Sequence, residues 1–325
     1  GSDQRQRLHL RADTGQFAWG ALGLSLTEHR EDKWKAQGRQ RQRQWNLKWL
    51  KEGPQWRASA FLNSSDRREM DYQDFSLDML RRLGPDWDNS YPNLDAALRA
   101  SRELCGNGGK PYVTQCDDAY FAGSGLRKDK LGGINLEWRP APNWLLRQVA
   151  YGHRNEGAGL WFTPYTPSPD GTPLALRTTE YRIARRGWLG SLDWEAAAHQ
   201  WRASLWLERN HFDHARRFYA VSPAALPDPY QFPRNAFRTD WDFDFDTDTL
   251  QYSLADTWSL APNWSLGLGF KGMRVVTDAA LATGSDRPVG RVVSDRPFLP
   301  QAGLVHTLSP ADELFVSFAR NARAF

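Results

Sequence analysis

Five aspartates alternate through one short stretch, Asp240, Asp242, Asp244, Asp246 and Asp248, with Trp241, Phe243 and Phe245 among them. Gathered carboxylates suggest a divalent-cation site. The calcium-loop pattern fails, because no Gly stands at its sixth position and Ser253, not Glu, stands at its twelfth. A charged strand extension is the better account. His211-Phe212-Asp213-His214 offers nitrogen and oxygen ligands, but one such pair is a weak metal signal. Cys105 and Cys116 bracket a Gly-rich segment with no His nearby, too few ligands for zinc. A local disulfide formed in an oxidising compartment is preferred over two free thiols. Arg39, Arg41 and Arg43 also alternate, and a guanidinium fork grips phosphate through two parallel hydrogen bonds; a solvated strand end is the plainer account. There is no Gly-x-Ser-x-Gly, no phosphate loop and no defensible pair of catalytic carboxylates. The expectation is therefore no catalytic residue, no metal, no cofactor and no enzyme.

Something must hold these residues, and the stretch Leu250 to Val276 shows what. Leu250, Tyr252, Leu254, Trp258 and Leu260 fall on even positions, with Gln251, Ser253, Ala255, Thr257 and Ser259 between them. After Ala261-Pro262-Asn263 the alternation resumes at Trp264, Leu266, Leu268 and Phe270. Period two means β-strand, since successive side chains leave opposite faces. The unit recurs. Ala141-Pro142-Asn143-Trp144 repeats Ala261-Pro262-Asn263-Trp264, and Gly53-Pro54-Gln55-Trp56 and Ser309-Pro310-Ala311-Asp312 are looser copies. Asp193 to Trp201 joins two further alternating arms without a Pro.

Each hairpin is followed by a longer excursion: 64–124, 155–177, 210–239 and 277–297. The first contains a helix-like piece from Asn93 to Leu104. Short turns thus gather at one end of the sheet and long loops at the other. Many of the 16 tryptophans sit beside the short turns, among them Trp56, Trp144, Trp201, Trp258 and Trp264. Outer-membrane barrels show this asymmetry and such an aromatic girdle. The mean hydropathy of −0.67 does not argue against one, because only alternate residues meet lipid. A net charge of +4 over 325 residues is too mild to imply nucleic acid. The fold expected is all-β: an antiparallel up-and-down transmembrane β-barrel, partial, with about a dozen strands of a larger barrel. On it, Arg39, Arg41 and Arg43 would face outward above the lipid band, where lipopolysaccharide phosphates lie.

The final stretch, Phe298 to Phe325, resembles a segment common in TonB-dependent outer-membrane receptors. There F-x-P-x-x-G precedes a strand, a Ser-Pro turn follows, and the next strand ends near "yskgfraP". Phe298, Pro300, Gly303, Leu308, Ser309, Pro310, Leu314, Phe315, Phe318, Asn321 and Arg323 fit this pattern. His306 and Ala322 stand where aromatics are usual, and Phe325 where Pro is usual. The resemblance implies residues 1–325 as part of a barrel wall, with no plug domain or TonB box evident and the last strands missing. Gly1-Ser2 reads as a fragment start. It further implies an active receptor in the bacterial outer membrane for a scarce nutrient, most often a ferric siderophore. Its partners would be that nutrient or metal chelate, the TonB complex acting through a plug, and lipid with lipopolysaccharide. Outer-loop aromatics and cations are the expected ligand contacts: Tyr112, Tyr120, Phe121, Arg154, Trp161, Phe162, Tyr165, Tyr230 and Phe232. A passive porin and a soluble carbohydrate-binding protein are the alternatives.

Overall fold

Among the described residues twelve strands form, and each pairs antiparallel with the next in chain order, giving one up-and-down sheet that does not close. The computed structural model describes residues 2–105, 115–284 and 288–324. The strands are β1 (Gln6–Asp13), β2 (Ala21–Asp32), β3 (Arg39–Glu52), β4 (Trp56–Met70), β5 (Gly123–Trp138) and β6 (Trp144–Thr163). There follow β7 (Ala175–Ala196), β8 (His199–Ala220), β9 (Arg238–Ala261), β10 (Trp264–Thr283), β11 (Gly290–Ser309) and β12 (Asp312–Ala319). Two helices, α1 (Leu77–Leu83) and α2 (Leu94–Leu104), lie in the connection from β4 to β5. The Asn93 side chain caps α2 by accepting from the Ala96 amide at 3.0 Å, matching the helix read from the sequence.

The ladders run further than alternation of apolar residues suggests. Strand takes up part of each of the excursions expected at 155–177, 210–239 and 277–297, and the connections shrink to 164–174, 221–237 and 284–289. The reason is physical. Backbone pairing does not depend on side-chain type, so the ladders continue where the side chains are no longer apolar. The asymmetry of the ends survives this correction. One end has tight turns such as 197–198, 262–263 and 310–311; the other carries 71–122, 164–174 and 221–237.

Direct partners across a ladder share a face. One face therefore carries the chain of partners Leu24, Leu47, Leu62 and, further along, Ile134, Ala150, Trp188, Leu207 and Leu250. Its side chains stand bare: Ile134 is 61% exposed and Leu268 49%. At the turn end of this face the aromatics form a row. Trp56 partners Trp138, Trp144 stacks on Trp194 at 5.4 Å, and His199 lies between Trp201 and Trp258. His306 stacks on Trp264 at 4.0 Å, so it completes the row at the position where the sequence pattern lacks an aromatic.

The opposite face is polar and internally paired. Asp193 accepts from Arg202 Nε at 2.5 Å and from Arg147. Arg185 Nε donates to His153 Nδ1 at 2.9 Å, which leaves His153 Nε2 to donate to Asp129 at 3.1 Å. The upper end of the Trp/Leu face is covered by an apolar cluster. There Met70, Leu126, Leu160, Phe162 and Leu176 pack with Ala97 and Leu98 of α2, with Phe121 and with Val221.

Candidate ligand-binding end

The long connections are pinned to the strand tops and to one another. Lys33, after β2, forms a fully buried ion pair with Asp88. Such a pair persists only when its remaining polar atoms are satisfied. Lys33 Nζ also donates to the Asp71 carbonyl at 2.8 Å, and Asp88 accepts from the Gln73 and Asn89 amides at 2.8 Å each. The segment from Met70 to Asn89 is thereby held over the β2–β3 connection. Burial and the nearby Glu69 push the Asp71 carboxyl up to about 6. Cys105 and Cys116 are disulfide-bonded, which ties the end of α2 to the turn at Gln115–Ala119. Tyr112 and Phe325 lie outside the described residues.

Three of the expected contacts come together. Tyr120 meets Trp161 edge-on at 5.8 Å and Tyr165 at 6.1 Å, and the Tyr165 hydroxyl donates to Asp117 at 2.7 Å. Phe121 and Phe162 stand beneath, edge to face at 5.3 Å and fully buried, so they act as the core on which the other rings rest. Trp161 and Phe162 belong to strand β6, not to a loop as expected. Arg154 is also in β6, lower down and exposed, and it shares the Trp/Leu face through its partner Lys130. It is separate from the aromatic group.

Tyr230 and Phe232 lie on the strap 221–237, which leaves β8 and reaches back across the sheet to β3. The Tyr230 hydroxyl accepts from the Arg39 amide at 2.8 Å and donates to the Arg39 carbonyl at 3.2 Å. Arg68 Nη1 donates to the Tyr230 carbonyl at 3.0 Å, and Arg41 stacks over the Tyr230 ring. Ser124 Oγ donates to the Pro229 carbonyl at 2.6 Å. Beside the strap lies a cavity of about 470 Å³, lined by Phe232, Lys128, Glu156, Glu180, Arg217 and Asp242. Arg217 donates to Glu180 and Asp242 at 2.5 Å each, and Tyr219 donates to Glu180 at 2.6 Å. The sequence reading found Phe232 and put Asp242 in a charged strand extension; Glu156 and Arg217 fall in the excursions expected at 155–177 and 210–239, and Lys128 and Glu180 drew no notice.

The arginines expected to meet phosphate are mostly engaged. Arg39 pairs with Asp32 at 3.0 Å, Arg41 stacks over the Tyr230 ring, and Arg43 approaches Glu28 at 3.7 Å. The acidic stripe and the His211 motif meet across β8 and β9: His211, Asp213 and Asp244 could together hold an ion. All three are half-buried, and His211 is already hydrogen-bonded to Asp246 at 3.0 Å.

The model of the family described as "TonB dependent receptor-like, beta-barrel" matches residues 55–324. Among solved structures, the unliganded ferric citrate transporter FecA is similar over 96% of this chain and 40% of its own, at 13% identity and a TM-score of 0.68. The ferric-catecholate import receptor Fiu of E. coli K12 is similar over 98% of this chain and 52% of its own, at 14% identity and a TM-score of 0.63. The ferric yersiniabactin uptake receptor FyuA of Yersinia pestis is similar over 96% and 43%, at 11% identity and a TM-score of 0.60. The chain thus spans 40–52% of the length of these structures. No curated protein matches it.

Proposed function

The chain belongs to the TonB dependent receptor-like β-barrel family, and from that premise we propose that it serves the import of a scarce nutrient, a ferric siderophore or similar iron chelate. Proteins of this family are receptors and transporters of the bacterial outer membrane, not enzymes, which sets aside the soluble sugar-binding alternative. The observation that carries the proposal is the gathering of every long connection at one end of the ladder, with aromatic rings and charge on them. In this reading the chelate meets Trp161 and Tyr165, whose broad rings give contact area at small entropic cost, with the buried Tyr120 ring packed behind them. The charged groups beside the strap, Lys128, Glu156 and Arg217, give orientation. Tyr230 acts by pinning the strap to β3, not by touching the chelate. Energy from the TonB complex would then drive passage, through a plug held in the complete barrel.

The test uses the outer-membrane protein that contains this chain, expressed in an iron-starved host lacking other receptors. Trp161→Ala with Tyr165→Ala should weaken chelate binding about tenfold or more, the worth of a well-placed aromatic contact. Uptake should stop when the proton-motive force is collapsed. Unchanged binding by the variant removes the assigned contacts. Uptake that persists without the proton-motive force favours the passive porin instead.

A further inference from the structure

One line of direct partners near the turn end of the Trp/Leu face runs Trp144, Trp194, Trp201 and Asp256, from β6 to β9. Three rings are followed by a carboxylate. Around it on this face stand Leu254 and Trp258 along β9, Trp201 on β8 and Leu268 on β10. Direct partners lie about 5 Å apart at Cβ, so indole and hydrocarbon surround the acid. Asp256 is 9% exposed. Its Oδ2 lies 2.6 Å from His199 Nδ1. Its Oδ1 is buried and, among the described residues, has no hydrogen-bond partner. Among the described residues, no lysine or arginine forms an ion pair with it. A buried carboxylate oxygen left without a donor is unfavourable.

The surroundings define what would answer it. The donor must come from outside the chain and reach a face read as lipid-covered. It must bring a hydrogen to Oδ1, carry positive charge, and rest among indoles. A primary ammonium meets all of these: it donates hydrogen bonds, it is a cation, and it is attracted to the face of a Trp ring. A quaternary ammonium has the charge but no hydrogen to give, and an anionic head is repelled. The Trp girdle sets this level of the sheet at the boundary between lipid and water. There an ammonium is carried on a phospholipid head. Access needs no backbone change. Trp258 and Leu268 are 40% and 49% exposed, so either can turn toward lipid and uncover the oxygen.

We propose that Asp256 binds the primary ammonium of one phosphatidylethanolamine of the periplasmic leaflet, with Trp201 and Trp258 flanking the cation. His199 is the positioning residue, holding the carboxylate through Oδ2 so that Oδ1 is left for the lipid. The claim rests on the reading that the Trp/Leu face meets lipid. It lies at the opposite end of the ladder from the nutrient contacts and does not depend on them.

The experiment purifies the containing barrel in mild detergent and offers it an equimolar mixture of phosphatidylethanolamine and phosphatidylcholine with matched acyl chains. Retained lipid is counted by native mass spectrometry. The barrel should prefer phosphatidylethanolamine about tenfold, as expected of one hydrogen bond to a charged group. Asp256→Asn keeps the shape without the charge and should bring the ratio close to one. Asp278→Asn, an exposed position higher on the same face, should leave the preference intact. Adding phosphatidylethanolamine to phosphatidylcholine vesicles should raise the melting temperature of the parent but not of Asp256→Asn or Asp256→Leu. In phosphatidylcholine alone the carboxylate stays unanswered, and there its removal should cost nothing. Soluble ethanolamine should give no protection. Equal retention of the two lipids by the parent overturns the proposal, as does a preference that survives Asp256→Asn, or equal protection by soluble ethanolamine. Quenching of the girdle tryptophans by brominated phospholipid tests the face separately. Quenching without lipid preference sinks the site alone; absence of quenching sinks the lipid-facing assignment beneath it.

Discussion

Asp256 shares the Trp/Leu face with Leu254 and Trp258, a place where a lone carboxylate is unfavourable. The structure answers it with one neighbour. Asp256 Oδ2 lies 2.6 Å from His199 Nδ1, and the Asp256 side chain is 11% exposed. Its Oδ1 has no hydrogen-bond partner among the described residues. His199→Phe keeps a ring between Trp201 and Trp258 but removes that neighbour. Breaking a fully buried pair costs about 3–5 kcal/mol, and a charge on the lipid face near the interface costs about 0–1 kcal/mol. The site lies between these cases, since His199 is 35% exposed, and the expected loss is about 2 kcal/mol. Asp256→Leu should be neutral or stabilising, and the double variant should match it, because the only unfavourable group is gone. The assay is urea unfolding of the containing barrel in phospholipid vesicles, followed by tryptophan fluorescence. The reasoning is refuted if His199→Phe changes stability by less than about 0.5 kcal/mol, the usual spread for surface changes. It is equally refuted if Asp256→Leu destabilises as much as His199→Phe.

Three further outcomes follow from the loops and strand tops. Asp71 is held up to about 6, above its ordinary value near 3.8, so the fold favours its protonated form. Its unfavourable contribution is absent below pH 4 and complete above pH 6; Asp71→Asn should therefore tighten the 71–122 connection at pH 7 by about 1–2 kcal/mol, after allowance for solvent screening. Amide hydrogen exchange in that connection, compared at pH 4 and pH 7 after correction for intrinsic rates, checks both sign and window. Reduction of Cys105–Cys116, whose sequence separation is 11, removes at most about 3 kcal/mol of loop ordering; limited proteolysis should cut near residues 105–116 while the ladder's melting is unchanged. A side chain at Gly157 would begin 2.3 Å from the Tyr181 ring, which accepts from Arg127 Nε at 3.1 Å through its hydroxyl. Gly157→Val should cost about 1–3 kcal/mol by overpacking, read from the same urea unfolding.

Fold class was legible because the signal is local and repeated. Alternation around Leu254 and Leu266, the Ala-Pro-Asn-Trp turns and the helix opened by Asn93 each depend on neighbours in sequence. The acidic stripe of β9 was read as a strand extension, and Asp244 to Asp248 do pair in register with β8 and β10. The upper extent of β6, β7, β8, β10 and β11 was not legible, since strand tops carry no apolar period. That error placed Trp161 and Phe162 in a loop. Long-range pairs were invisible for a different reason. Nothing near Lys33 announces Asp88, and nothing near Tyr230 announces Arg39, because the chain meets itself there only after folding. The aromatic group was half legible. Residue type put Tyr120, Phe121, Trp161, Phe162 and Tyr165 on one footing, and only packing shows that Tyr120, Phe121 and Phe162 are buried while Trp161 and Tyr165 stay partly exposed.

The account stands on which face of the sheet meets lipid. Single substitutions Leu250→Cys, Gln251→Cys, Tyr252→Cys, Ser253→Cys and Leu254→Cys, each spin-labelled in the barrel reconstituted in vesicles, measure this residue by residue. The prediction is a period of two: labels at 250, 252 and 254 relax with oxygen dissolved in the bilayer, and labels at 251 and 253 with a water-soluble nickel chelate. A reversed pattern, or equal access to both reagents along the strand, would contradict it.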